Sequence, residues 1–168
     1  KKGKAWAQMM LGSWYAVGKG VKKDEKRAIV LYNLAAEQGD AQAQYNLGCM
    51  YRDGKGANKD EKRAVELFTL AADQGHPKAQ FNLGIMYDEG QGVDKDDKRA
   101  VEFYTLAADQ SHANAQCKLG VMYANGQGVD QSLTKAREWF TKAASQGYED
   151  AINALKILDE MEGRTTNS

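Results

Sequence analysis

The chain has 168 residues, 42% hydrophobic and 27% charged, and its 23 Lys and Arg are offset by 23 Asp and Glu. The length suits one domain with a buried core, while zero net charge argues against a generic binder of nucleic acid or anionic membrane, which needs a basic excess. No run of 18 apolar residues occurs, so no membrane-spanning helix is expected, and Lys1-Lys2-Gly3-Lys4 leads into no apolar stretch of a signal peptide.

A single Pro against 17 Gly points to long helices punctuated by glycine. The two Cys, at 49 and 117, have neither the density of a disulfide scaffold nor a metal-site spacing. Read from the N-terminus, the chain repeats itself. Leu-Gly occurs at Leu11-Gly12, Leu47-Gly48, Leu83-Gly84 and Leu119-Gly120, always 36 residues apart. Tyr15, Tyr51, Tyr87 and Tyr123 follow, then Gly-x-Gly at Gly18/Gly20, Gly54/Gly56, Gly90/Gly92 and Gly126/Gly128, then Ala pairs beginning at Ala35, Ala71, Ala107 and Ala143. These landmarks delimit units 5–40, 41–76, 77–112 and 113–148 and a half-unit from 149. Units two and three agree at 23 of 36 positions, which establishes a tandem array.

Each unit reads as two helices. In the second, Ala43, Leu47, Met50 and Tyr51 fall on one amphipathic stripe. Gly-x-Gly breaks that helix, and the next begins after Asp24, Asp60, Asp96 or Ser132, residue types that accept a hydrogen bond from a free amide at a helix start. Ala64, Leu67, Phe68, Ala71 and Ala72 form the second buried stripe, with Gly39, Gly75 and Gly147 closing the helices and Ser111 the one departure. Pro77 sits in the first turn of its helix, where a missing N–H costs little. The Gly of each Leu-Gly lies mid-helix, where it costs about 1 kcal/mol relative to Ala. That recurrence predicts close helix contact at Gly48 and its equivalents, with the Ala pairs as the matching small surface.

The pattern A-x-A-x-x-x-L-G-x-x-Y, G-x-G-V, D-x-x-x-A and A-A-x-x-G at a period of 36 resembles the Sel1-like repeat family, kin of the tetratricopeptide repeats. The resemblance covers residues 5 to about 160, with departures at Ala57 in the loop and at Thr134-Lys135 in the fourth unit. It implies an all-α fold, a right-handed α/α superhelix (solenoid) with first helices on the concave face and second helices on the convex back. It also implies an adaptor of the kind found in bacterial virulence and signalling and in eukaryotic protein quality control at the endoplasmic reticulum. Cysteine-rich relatives carry a disulfide in each repeat, a pairing that Cys49 and Cys117 do not offer.

At the C-terminal end Ala151 and Leu155 keep the register, but Lys156 and Asp159 replace the Gly and Tyr, as a capping helix over 149–162 should do. Residues 163–168 read as a frayed tail. Trp6 and Met9, by contrast, begin an ordinary unit, which leaves an uncapped N-terminal edge. His76 and His112 share a position and are expected as solvated inter-repeat turn residues, since no ligand set accompanies them. The run 88–97 lacks the calcium-loop ladder, and Gly-Lys-Gly at 18–20 and 54–56 is followed by no G-K-[ST]. No cofactor, metal or catalytic constellation is expected.

What remains is surface. Counting from the first residue of a unit, positions 2, 5, 6, 9, 12 and 13 fall on the side of the first helix away from the Leu/Tyr stripe. Position 5 holds Met9, Tyr45, Phe81 and Cys117; position 6 holds Asn46, Asn82 and Lys118; position 9 holds Cys49, Ile85 and Val121. Arg52, Asp53, Asp88 and Glu89 form a largely acidic rim at positions 12 and 13. These residues are the candidate partner-binding face, unless Tyr45, Phe81 and Ile85 simply complete the core between repeats. The expected function is a non-enzymatic scaffold that grips an extended, basic-apolar peptide or protein segment, with Asn46 and Asn82 pairing its backbone. A structural or self-associating module stacking through its N-terminal edge is the alternative, and a hydrolase a remote one.

Overall fold

Glycines and capping side chains divide every unit into two helices. The computed structural model describes residues 2–165, the side chains of 2, 162, 164 and 165 excepted. First helices are α1 (Lys2–Val17), α3 (Ala41–Asp53), α5 (Pro77–Glu89), α7 (Ala113–Asn125) and α9 (Glu149–Thr165). Second helices are α2 (Glu25–Ala36), α4 (Glu61–Asp73), α6 (Asp97–Asp109) and α8 (Leu133–Ala144). Among the described residues there is no strand. The capping helix reaches Thr165, so 163–165 continue it rather than start a tail, and 166–168 lie outside the described residues.

The caps follow from local chemistry. Asp24, Asp60, Asp96 and Ser132 each accept the amide three residues on, at 3.0, 2.9, 3.0 and 3.3 Å. Gly90 ends α5 in the left-handed conformation, φ 69°, its N–H bonded to the Met86 carbonyl. After α6 that left-handed role falls to Ser111, φ 63°, where the other units use glycine.

Each helix packs on its neighbours in the chain, so the core is a row of clusters rather than one centre. Leu47, Leu83 and Leu119 are fully buried between a first helix and the second helix before it. The mid-helix glycines face aromatic rings, not the Ala pairs. A Cβ on Gly48 would lie 2.7 Å from the Phe68 ring, and one on Gly120 2.5 Å from the Phe140 ring, while Tyr32 and Tyr104 fill the same role in the other units. The expectation of close contact holds, but its partner is a flat ring laid on bare backbone.

A polar relay, not foreseen, accompanies this packing. Gln44, Gln80 and Gln116 are buried at position 4 of their first helices. Each donates to a carbonyl in the last turn of the preceding second helix, at Ala36, Ala72 or Ala108. Each in turn accepts from Gln74, Gln110 or Gln146 of its own unit, at 2.7–2.8 Å. The side chain thus adds a second donor to a carbonyl that already accepts the N–H of Gly39, Gly75 or Ser111.

Candidate functional site

Positions 2, 6, 9 and 13 line one side of a helix, because steps of four and three residues return to the same face. In α3, α5 and α7 that face is mainly polar, with Gln42, Lys78 and Asn114 exposed at position 2. Position 5 turns inward. Met9 and Cys117 are buried, and Tyr45 and Phe81 are half-buried between repeats. The Tyr45 ring stacks on His76 at 4.8 Å and leans on Phe68, and Phe81 meets His112 at 4.7 Å and Tyr104 at 5.7 Å. Cys49 and Ile85 pack against the same clusters. Much of the apolar part of the expected groove is therefore the seam between repeats.

The two amides are not equivalent. Asn46 is half-buried and accepts from Gln42 at 2.8 Å. Asn82 is 7% exposed, and its carbonyl oxygen accepts from Arg52 Nη1 at 2.8 Å. Arg52 Nε also donates to Asp53 at 2.8 Å, and Lys55 reaches the other Asp53 oxygen at 3.1 Å. The Arg52 guanidinium holds the Asp53 carboxyl below the usual carboxylate range. Asp88 accepts weakly from the Tyr104 hydroxyl at 3.5 Å, and Glu89 accepts from Gln91 at 2.6 Å. Lys118 and Val121 are exposed on α7.

His76 and His112 are not solvated turn residues. Half-buried, they cap α5 and α7 by accepting the Ala79 and Ala115 amides through Nδ1, at 3.2 and 3.3 Å. Asp40 does the same for α3 at 2.8 Å, and this shared position was the sequence signal for a histidine cap. Among the described residues no three His, Cys, Asp or Glu side chains gather as a metal site. Burial pushes both thiols, Cys49 and Cys117, up from their ordinary value, which disfavours the nucleophilic thiolate. Among the described residues no helix is long and apolar enough to cross a membrane.

Two hollows open on the first-helix side. One, of about 230 Å³, lies between units one and two and includes Val17, Asn46, Cys49 and Asp53. The other, of about 370 Å³, is walled by Phe81, Cys117, Val121, Phe140, Tyr148 and Ala154, with Asn114, Lys118 and Asp150 around it. Asp150 and Ala154 were absent from the sequence-based face because they belong to the helix expected only to cap, and Tyr148 precedes that helix at the position of His76 and His112.

The Sel1 repeat model matches residues 7–40, 41–76, 77–112 and 113–148. The chain belongs to the Sel1 repeat family. A protective antigen present in uropathogenic Escherichia coli strains, described as displaying an SLR fold, is 39% identical over 89% of this chain and 32% of that one, with a TM-score of 0.87. A Sel1 repeat protein from Oxalobacter formigenes is 36% identical over 88% and 60%, with a TM-score of 0.83. Helicobacter pylori cysteine rich protein B is 28% identical over 82% and 98%, with a TM-score of 0.62. The chain thus spans less than two thirds of the first two structures. Among curated proteins none matches it. Sel1 repeat proteins are in general protein–protein interaction modules and typically non-enzymatic scaffolds.

Proposed function

We propose that this chain is an interaction scaffold that takes a segment of another protein along its first-helix face. The observation that carries the reading is the 370 Å³ hollow between α5, α7 and α9, whose walls include the Phe81 and Tyr148 rings and exposed Val121. An apolar depression with few polar groups around it suits a large apolar side chain of a partner. Asp88 and Glu89, which carry no ion pair among the described residues, favour a segment containing Lys or Arg. The segment is extended and basic-apolar, but Asn82 is already engaged by Arg52, so Asn46 is the freer backbone partner. Selection of a displayed random peptide library on the chain tests this. Enriched peptides should lose binding on Val121→Asp and keep it on Lys62→Ala with Glu66→Ala. Binding indifferent to Val121 but abolished by the Lys62 and Glu66 changes overturns the reading.

A second reading, self-association through α1, rests on a specific observation. Leu11 and Trp14 stand where Leu47 and Met50 are buried, yet Trp14 is 42% exposed against 6% for Met50. Sedimentation should then show a mass that grows with concentration and reverts to that of a monomer on Leu11→Glu with Trp14→Glu. A constant monomer mass removes this reading.

A further inference from the structure

Position 5 of the first helix is the middle link of a row of rings. In unit two Tyr45 lies between Phe68, at position 28, and His76, at position 36, with ring centroids 5.9 and 4.8 Å away. In unit three Phe81 lies between Tyr104 and His112, at the same two positions, 5.7 and 4.7 Å away. Unit one has no such row, with Met9 and Asp40 at positions 5 and 36. Unit four keeps both outer rings, Phe140 at position 28 and Tyr148 at position 36, but places Cys117 between them. Beyond the ring, position 6 of the following first helix is Asn82 for Tyr45 and Lys118 for Phe81, yet Ala154 for Cys117. Two small side chains thus stand where a ring and a longer polar group stand in units two and three. The 370 Å³ hollow opens at that point, with Phe81, Cys117, Phe140, Tyr148 and Ala154 among its walls.

We infer that the hollow seats one aromatic side chain of the partner segment, which completes between two molecules the ring row that Tyr45 and Phe81 complete within the chain. This rests on the first-helix reading above and deepens it by naming the anchor residue. A ring held between two others gains from tilted or offset contacts at about 4.5–7 Å in addition to its burial, and an aliphatic side chain gains burial alone. The walls that supply those contacts, Phe140 and Tyr148, belong to the same two positions that hold Tyr45 and Phe81. Charge at the rim narrows the choice further. Lys118 and Asp150 border the hollow, both are exposed, and neither carries an ion pair among the described residues. Their opposite signs suit an aromatic residue with Lys or Arg on one side and Asp or Glu on the other.

The test is selection of displayed random peptides on the wild-type chain, followed by binding to the Cys117→Phe and Cys117→Ala variants. Cys117→Phe supplies the ring from within and should weaken binding tenfold or more, while circular dichroism shows the helical fold retained. Cys117→Ala leaves the hollow open and should bind as the wild type does, which separates the space from the thiol. Enriched peptides should share one Phe, Tyr or Trp with charged neighbours of both signs. Changing that residue to Leu should weaken binding to the wild-type chain tenfold or more, a comparison that holds whether or not Cys117→Phe folds. An aliphatic anchor, or binding indifferent to Cys117→Phe while still lost on Val121→Asp, overturns the aromatic seat and leaves the first-helix reading standing. No enrichment, or binding indifferent to both Cys117→Phe and Val121→Asp, overturns both.

Discussion

His76 and His112 hold the position that Asp40 holds one repeat earlier, and each accepts a helix-start amide through Nδ1. That acceptance requires a neutral ring nitrogen, since a protonated imidazole has only donors. Burial, and after it the charge of Lys78, holds both imidazoles below the ordinary histidine value, with Asp40 weakly opposing this at His76. A base whose pKa is depressed on folding binds fewer protons than in the unfolded chain, so stability is complete above the unfolded value of about 6.5 and falls as pH drops below it. The urea midpoint should therefore decline between pH 7.5 and 5, and His76→Asp with His112→Asp should flatten that decline. An unchanged slope in the double variant means that other groups set it. Ser111 offers a second check. A side chain held at φ 63° costs about 1–2 kcal/mol, partly offset by the extra freedom that glycine loses on folding. Ser111→Gly should raise the melting temperature by a few degrees, and a fall would mean that the Ser111 side chain contributes more than its backbone strain removes.

At the scale of elements, the Leu-Gly dipeptide is a seat for a ring. Gly84 faces Tyr104, which is fully buried and whose phenol is driven far above its ordinary value by that burial. Gly84→Leu should cost about 3 kcal/mol by overpacking, read from chemical denaturation, and a variant that unfolds like the parent refutes the seat. The dipeptide's spacing announced a close contact, but which group makes it depends on two helices meeting. The ring and the Ala pair are three residues apart on α4, on neighbouring parts of one stripe, so sequence alone could not choose between Phe68 and Ala71. The glutamine relay escaped for a related reason. Gln occurs at positions 4 and 34 of all four units, but a link across 30 residues is visible only once both helices are placed.

At the scale of the whole molecule, stability should be close to a sum of neighbour contacts, because helices pack mainly on those adjacent in the chain. The same substitution should then matter differently at the edge and in the middle. Gln80→Ala removes one of two donors to the Ala72 carbonyl and one of two acceptors of the Gln110 amide and should cost about 1 kcal/mol. Gln8 accepts from Gln38 near the surface, and Gln8→Ala should stay within about 0.5 kcal/mol. Equal losses in the two urea titrations would mean that the relay adds nothing beyond the exposed pair.

The 36-residue repeat and the caps of the second helices were readable from residues alone, because they depend on contacts within a few residues and recur, whereas the histidine caps of α5 and α7 were not. The binding face was readable only as a set of positions. What each side chain does there depends on the unit before it. Asn46 and Asn82 occupy the same position with the same chemistry, yet only Asn82 is held by an arginine, because position 12 of the preceding unit is Arg52 for one and Ala16 for the other. Helix geometry put Tyr45 and Phe81 on the outward side, but His76 and His112, which end the same units and cap the next helices, pack against them and draw them into the seam. Local periodicity assigns a side chain to a face. Whether that face is free is decided by residues 30 or more positions away.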